Sequence, residues 1–148
     1  MNRLVALFLF YFGILLSSYA GISASYKDSI DIESLKRKMV EIQSVSNELK
    51  PKAQELINLF EGYKVKAKTR KCSDALKEAL DGLDMAQKAS KDCDDVNRIA
   101  AKVIKAKKPE DVKKLTLEAD RKVKNAKYFI LQADDRKKET EFEMKGCD

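Results

Sequence analysis

Three cysteines and no histidine bound the chemistry this chain can do. Without histidine there is no histidine-based catalytic triad and no histidine ligand for zinc or haem iron. Cys72, Cys93 and Cys147 are too widely spaced for the CxxC pattern of a zinc or redox centre. No glycine-rich phosphate loop occurs. Carboxylates cluster at Asp92, Asp94 and Asp95, and again at Asp134 and Asp135. The first group lacks the spacing of a helix-loop-helix calcium site and reads as a cap or solvated turn. Nothing suggests a cleft in which paired acids would work on a glycosidic bond. The expectation is a non-enzyme with no catalytic residue, no metal and no cofactor.

Binding chemistry is better represented. Lys64, Lys66, Lys68, Arg70 and Lys71 form one basic run, and Lys102, Lys105, Lys107 and Lys108 a second. Arg121, Lys122, Lys124 and Lys127 form a third. Such runs could contact anionic lipid headgroups, heparin-like sugars or an acidic protein. The plainer account is solvated helix faces. Aromatic residues do not interleave with the lysines as a stacking platform would need, which argues against nucleic acid. Thirty Lys and Arg against 24 Asp and Glu give a net charge of +6, too mild to specify a partner. A different set, Met39, Phe60, Tyr63, Met85, Tyr128 and Phe129, could line a cavity for an apolar ligand. These residues also lie at ordinary core spacing.

The first twenty residues have the pattern of an export signal. Arg3 supplies the positive start, and Leu4 to Leu16 follow without a charge. Ser18 and Ala20 are small residues at the positions a signal peptidase reads. The expected cut follows Ala20, with Ala24 as the alternative end. The apolar run is shorter than the roughly twenty residues that span a bilayer. The expected domains are therefore a signal peptide over 1–20 and one helical domain over 21–148, with no transmembrane segment in the mature chain. Loss of Arg3 with the leader lowers the charge by one. The expected location is extracellular, or periplasmic in a bacterium.

The elements that must position these residues are helices. Alternating strand-like runs are missing, and apolar residues recur at steps of three and four. A first helix is expected over 30–49, with the stripe Ile32, Leu35, Met39, Ile42, Val45 and Leu49 and a cap at Asp28, Ser29 or Asp31. Pro51 should end it and open a second helix over 52–70, carrying Ala53, Leu56, Ile57, Phe60 and Tyr63. A turn is expected between Arg70 and Asp74. A third register begins at Cys72 and runs through Leu76, Ala79, Leu80, Leu83 and Ala86, then Val96, Ile99, Ala100 and Val103. The polar stretch from Ser90 to Asp95 either interrupts it or lies within one long helix. Lys105 to Pro109 mark a turn. The last helix should start near Glu110 and Asp111 and reach Phe142. The fold class is all-α: an antiparallel bundle of long helices, either four-helix or spectrin-like.

The cysteines then constrain topology. If residues 72–93 are helical, Cys72 and Cys93 stand about 30 Å apart, whereas a disulfide needs α-carbons about 4.4–6.8 Å apart. A hairpin about Pro109 instead places Cys72 opposite Cys147, so these two are the disulfide candidates in an oxidising compartment. Cys93 is left over, either as a buried thiol or as a link between two copies in a homodimer. A break near Ser90 to Asp95 would permit another pairing. The functional expectation is a secreted, non-catalytic interaction or structural protein acting on an unnamed protein or anionic surface. The alternative is a small carrier holding an apolar or lipid-like ligand between its helices.

Overall fold

The computed structural model describes residues 32–147, so the leader, its cut sites after Ala20 or Ala24, and the caps expected at 28–31 lie outside them. Three helices follow in order: α1 (Arg3–Arg70), described from Ile32 onward, α2 (Ser73–Lys105) and α3 (Pro109–Lys145). The described chain is all-helical, as the spacing predicts. A four-helix arrangement does not form, because the two helices expected on either side of Pro51 are one.

Pro51 lies inside α1 and does not end it. An interior proline costs about 3 kcal/mol through a lost hydrogen bond and a clash with the carbonyl four residues back. Both Pro51 and Asn47, which owns that carbonyl, are on the exposed side, where water can satisfy the oxygen. On the opposite side Leu49 and Ala53 enter the same apolar cluster. Continuous burial along that face offsets the local penalty.

The turn expected after Arg70 is present. Lys71 takes a left-handed conformation with φ 59°. The Cys72 amide donates to the Ala67 carbonyl at 2.9 Å and the Lys71 amide to the Lys68 carbonyl at 3.2 Å. This is the Schellman arrangement, which satisfies carbonyls that a helix end leaves unpaired. At the other end of α2 the Ala106 amide donates back to Lys102 and Val103. Pro109 opens α3, with Glu110 and Asp111 in its first turn, where acids complement the helix dipole.

Each helix packs on the other two. Gln43 bonds Asn97 and Lys50 bonds Asp94, so α1 and α2 are antiparallel. Lys122 bonds Asp92 and Arg136 bonds Glu78, so α2 and α3 are antiparallel as well. Tyr63 meets Glu141 and Arg70 meets the Met144 carbonyl, so α1 and α3 run parallel. The course is up, down, up.

The core follows most of the expected stripe. Met39, Ile42, Leu49, Val96, Ile99, Val103, Val112 and Val123 belong to one cluster, and Leu56, Phe60 and Leu83 to a second. Ala67, Cys72 and Ala75 form a third at the end of α1. Leu80 is an exception at 46% exposure. The buried row on α2 is Ala75, Ala79, Leu83 and Ala86, which turns Leu80 toward solvent. Gly82 is buried because a side chain there would overlap the Phe60 ring.

Candidate functional site

The polar stretch from Ser90 to Asp95 is continuous helix. Its side chains form a belt joining all three helices, which is why it needs no break. The Lys122 ammonium of α3 lies 2.6 Å from Asp92 and 2.9 Å from Asp95. Lys50 of α1 reaches Asp94 at 2.5 Å. Between these pairs the buried Ser46 hydroxyl donates to the Cys93 carbonyl at 3.2 Å. Gln43 donates to Asn97 at 3.0 Å one turn farther on. Among the described residues no buried side-chain nitrogen or oxygen is left without a partner.

Titration follows from these contacts. Hydrogen bonds from Lys122 hold the Asp95 carboxyl below its ordinary value, against a smaller opposing effect of burial. The same bonds, to Asp92 and Asp95, push the Lys122 ammonium above its ordinary value. The three clustered acids therefore engage lysines of two other helices. Among the described residues no group of three or more His, Cys, Asp or Glu is placed to hold a metal ion.

Cys72 and Cys147 form a disulfide with α-carbons 5.9 Å apart. It joins the start of α2 to the end of α3, as the hairpin about Pro109 requires. Leu76 and Met144 pack beside it. Cys93 is free and wholly buried. Burial pushes its thiol upward, and nearby Asp94 and Asp92 add to that, while Ser46 and Lys50 oppose it. A bond from Cys93 to another copy would require the bundle to open.

The basic runs do not converge. Lys64, Lys66, Lys68, Arg70 and Lys71 lie at the disulfide end, whereas Lys102, Lys105, Lys107 and Lys108 lie at the turn between α2 and α3. The length of α2, about 50 Å, separates them. Lys68 and Arg70 end α1, and Lys102 and Lys105 end α2, where cations complement the helix dipole. In the third run Lys122 is half-buried in the belt, while Arg121, Lys124 and Lys127 are exposed. Nothing in the spacing of that run separates Lys122 from its neighbours. Only the packing of α3 on α2 does.

The six candidate ligand-lining residues are likewise divided. Met39 is in the first cluster with Phe129 packed against it, and Phe60 is in the second with Tyr63 and Met85. Tyr128 faces solvent. Tyr63 makes an edge contact with Phe60 and bonds Glu141 through its hydroxyl. Burial, reinforced by Glu141, raises the Tyr63 phenol to about 12. Beside it on α3, Arg136 holds Glu78 and Glu139 at 2.6 Å each.

A groove of about 280 Å³ lies between α1 and α3, lined by Leu56, Leu59, Ile130 and the charged Lys52, Glu55, Asp134 and Lys137. It contains none of the six candidates. Among the described residues no helix is long and apolar enough to cross a membrane. No family model matches the chain, and no curated protein or solved structure matches it either.

Proposed function

We propose that this chain is an exported, non-catalytic helical-bundle protein that works through its outer surfaces, in the manner of a spectrin-like rod. The observation that carries the reading is the use of the interior for holding helices together. Small residues such as Ala75, Ala79, Ala86, Ala119, Ala126 and Ala133 let the three helices approach closely. Phe60 occupies the space above Gly82. The polar belt then fixes register, with each ion pair joining two helices. Such a body offers rigid faces to a partner. The Cys72–Cys147 bond and the pattern of residues 1–20 support export.

The carrier reading draws less support. It needs Met39, Phe60, Tyr63, Met85, Tyr128 and Phe129 around one cavity, and they belong to two clusters and the surface. The anionic-surface role assigned to the two lysine runs would have to act at one end of the rod or the other.

The test is expression of the full chain in a secreting cell, followed by intact mass of the exported product. The expected product begins at Gly21, is lighter than the reduced chain by two hydrogens, and carries no stoichiometric lipid. Retention of the leader inside the cell would overturn export. A tightly bound lipid at one per chain would favour carriage instead.

A further inference from the structure

Helix α3 carries two seams. The inner one runs through Val112, Thr116, Ala119, Val123, Ala126 and Ile130 in alternating steps of four and three, and it faces the core. The same alternation, set two residues earlier, passes through Leu117, Arg121, Lys124, Tyr128, Leu131, Asp135, Lys138 and Phe142. Two residues turn a helix by about 200°, so the outer row lies opposite the core. Every member of it is exposed. The four large apolar side chains among them are between 57% and 73% exposed. The outer face of α2 is charged at Lys77, Asp81, Asp84 and Lys91, with Leu80 and Ile104 its exposed large apolar residues. Helix α3 carries four such residues, twice as many as α2.

The apolar members of the outer row, Leu117, Tyr128, Leu131 and Phe142, share that face with four charged ones, Arg121, Lys124, Asp135 and Lys138. The charges favour one direction of pairing over the other. Set a second α3 antiparallel, with a two-fold axis between Phe129 and Ile130. Tyr128 then lies opposite Leu131 of the second copy, and Leu117 opposite its Phe142. Lys124 lies opposite Asp135 of the second copy, and Lys127 beside its Asp134. Two symmetry-related layers, Arg121 with Lys138 and Lys138 with Arg121, bring like charges together. Glu118 of each copy flanks these layers, whereas Asp120, Glu139 and Glu141 are engaged by Lys124, Arg136 and Tyr63 of their own chain. A parallel alignment would set Arg121, Lys124, Asp135 and Lys138 each against its own copy, which makes four repelling layers.

We infer that this chain self-associates through the outer face of α3, with a second copy lying antiparallel about that two-fold axis. The contact is isologous and closes at two subunits. Each bundle lies on the far side of its own α3, so the remaining helices stay clear. Cys93 has no part in it, being buried in the opposite direction. The inference does not depend on export or on the absence of catalysis.

Sedimentation equilibrium of the full chain, from about 1 µM to about 1 mM, tests it. A reversible dimer, indifferent to reductant, is the expected species. Leu131→Lys should weaken it by more than about tenfold while helix content by circular dichroism is unchanged. Lys124→Glu should weaken it by about tenfold, and adding Asp135→Lys to the same chain should restore it, because each reversed residue then meets the other's reversed partner. A monomer throughout the range overturns the inference, whether the row then takes an anionic vesicle or another protein. So does a dimer that Leu131→Lys leaves intact, one that reductant dissolves, or a double reversal no tighter than the single change.

Discussion

Gly62 and Gly82 sit inside two helices of one bundle and should respond to an added methyl in opposite ways. A Cβ at Gly62 meets nothing within 4 Å, whereas one at Gly82 runs into the Phe60 ring. Gly62→Ala should stabilise the protein by about 1 kcal/mol through helix propensity alone. Gly82→Ala gains the same propensity but overpacks a filled site, and should cost about 1–3 kcal/mol net. Urea unfolding of the two variants beside the parent decides this, and equal signs would contradict the packing described. Titration is a second residue-scale signature. The raised Tyr63 phenol contributes stability that is complete below about pH 10 and is lost as pH rises through about 12. Asp95 behaves in the reverse sense. Its lowered carboxyl contributes above about pH 4, and the contribution is lost as pH falls through its folded value. Absorbance titration should therefore show one tyrosine ionising late, near pH 12, and that step should vanish in Tyr63→Phe. A normal titration in the parent would contradict both the burial of the Tyr63 hydroxyl and its bond to Glu141.

At the scale of the element, α1 carries the largest departure from what local sequence predicts. Proline and its preceding lysine signal a helix boundary at Pro51, yet the helix continues through it. Pro51→Ala should then stabilise the bundle by about 1–3 kcal/mol, because alanine restores the amide donor to the Asn47 carbonyl. A true boundary would respond otherwise, since proline suits a first turn and its replacement would be neutral or harmful. Thermal melts of the two proteins separate these outcomes. The Ser90 to Asp95 segment makes the same point in a different way. Polar composition alone leaves open whether the helix is interrupted there. Asp92, Asp94 and Asp95 instead reach Lys122 and Lys50 on neighbouring helices, so the helix gains partners where it loses apolar burial.

For the whole molecule, the Cys72–Cys147 bond ties the outer ends of α2 and α3 across a sequence separation of 75. Loop-closure entropy for that length is about 4.5 kcal/mol at most. Reduction should lower the denaturant midpoint accordingly without removing helix, because the stripes and the belt do not depend on the bond. Cys93 should stay unreactive toward a thiol reagent until the chain unfolds, since it is fully buried and its thiol is pushed upward. Rapid labelling of Cys93 in the native, oxidised protein would show the bundle to be looser than its packing implies.

The order of amino acids determined by itself that the chain is helical and that turns fall near Lys71 and Pro109, and it made Cys72 and Cys147 the candidate pair provided that Ser90 to Asp95 stays helical. Those features rest on local periodicity, turn-forming residues and the fixed rise of a helix, all of which act over short distances or follow from counting along a rod. Leu80 and Lys122 show where such reasoning stops. Leu80 fits a four-residue step from Leu76, and Lys122 sits among look-alike lysines. Each is placed by which neighbour its helix turns toward, a choice made jointly by three packed faces. The continuity of α1 through Pro51 was decided in the same way. Burial on both sides of the proline outweighs a local penalty of a few kcal/mol, and only tertiary packing supplies that burial.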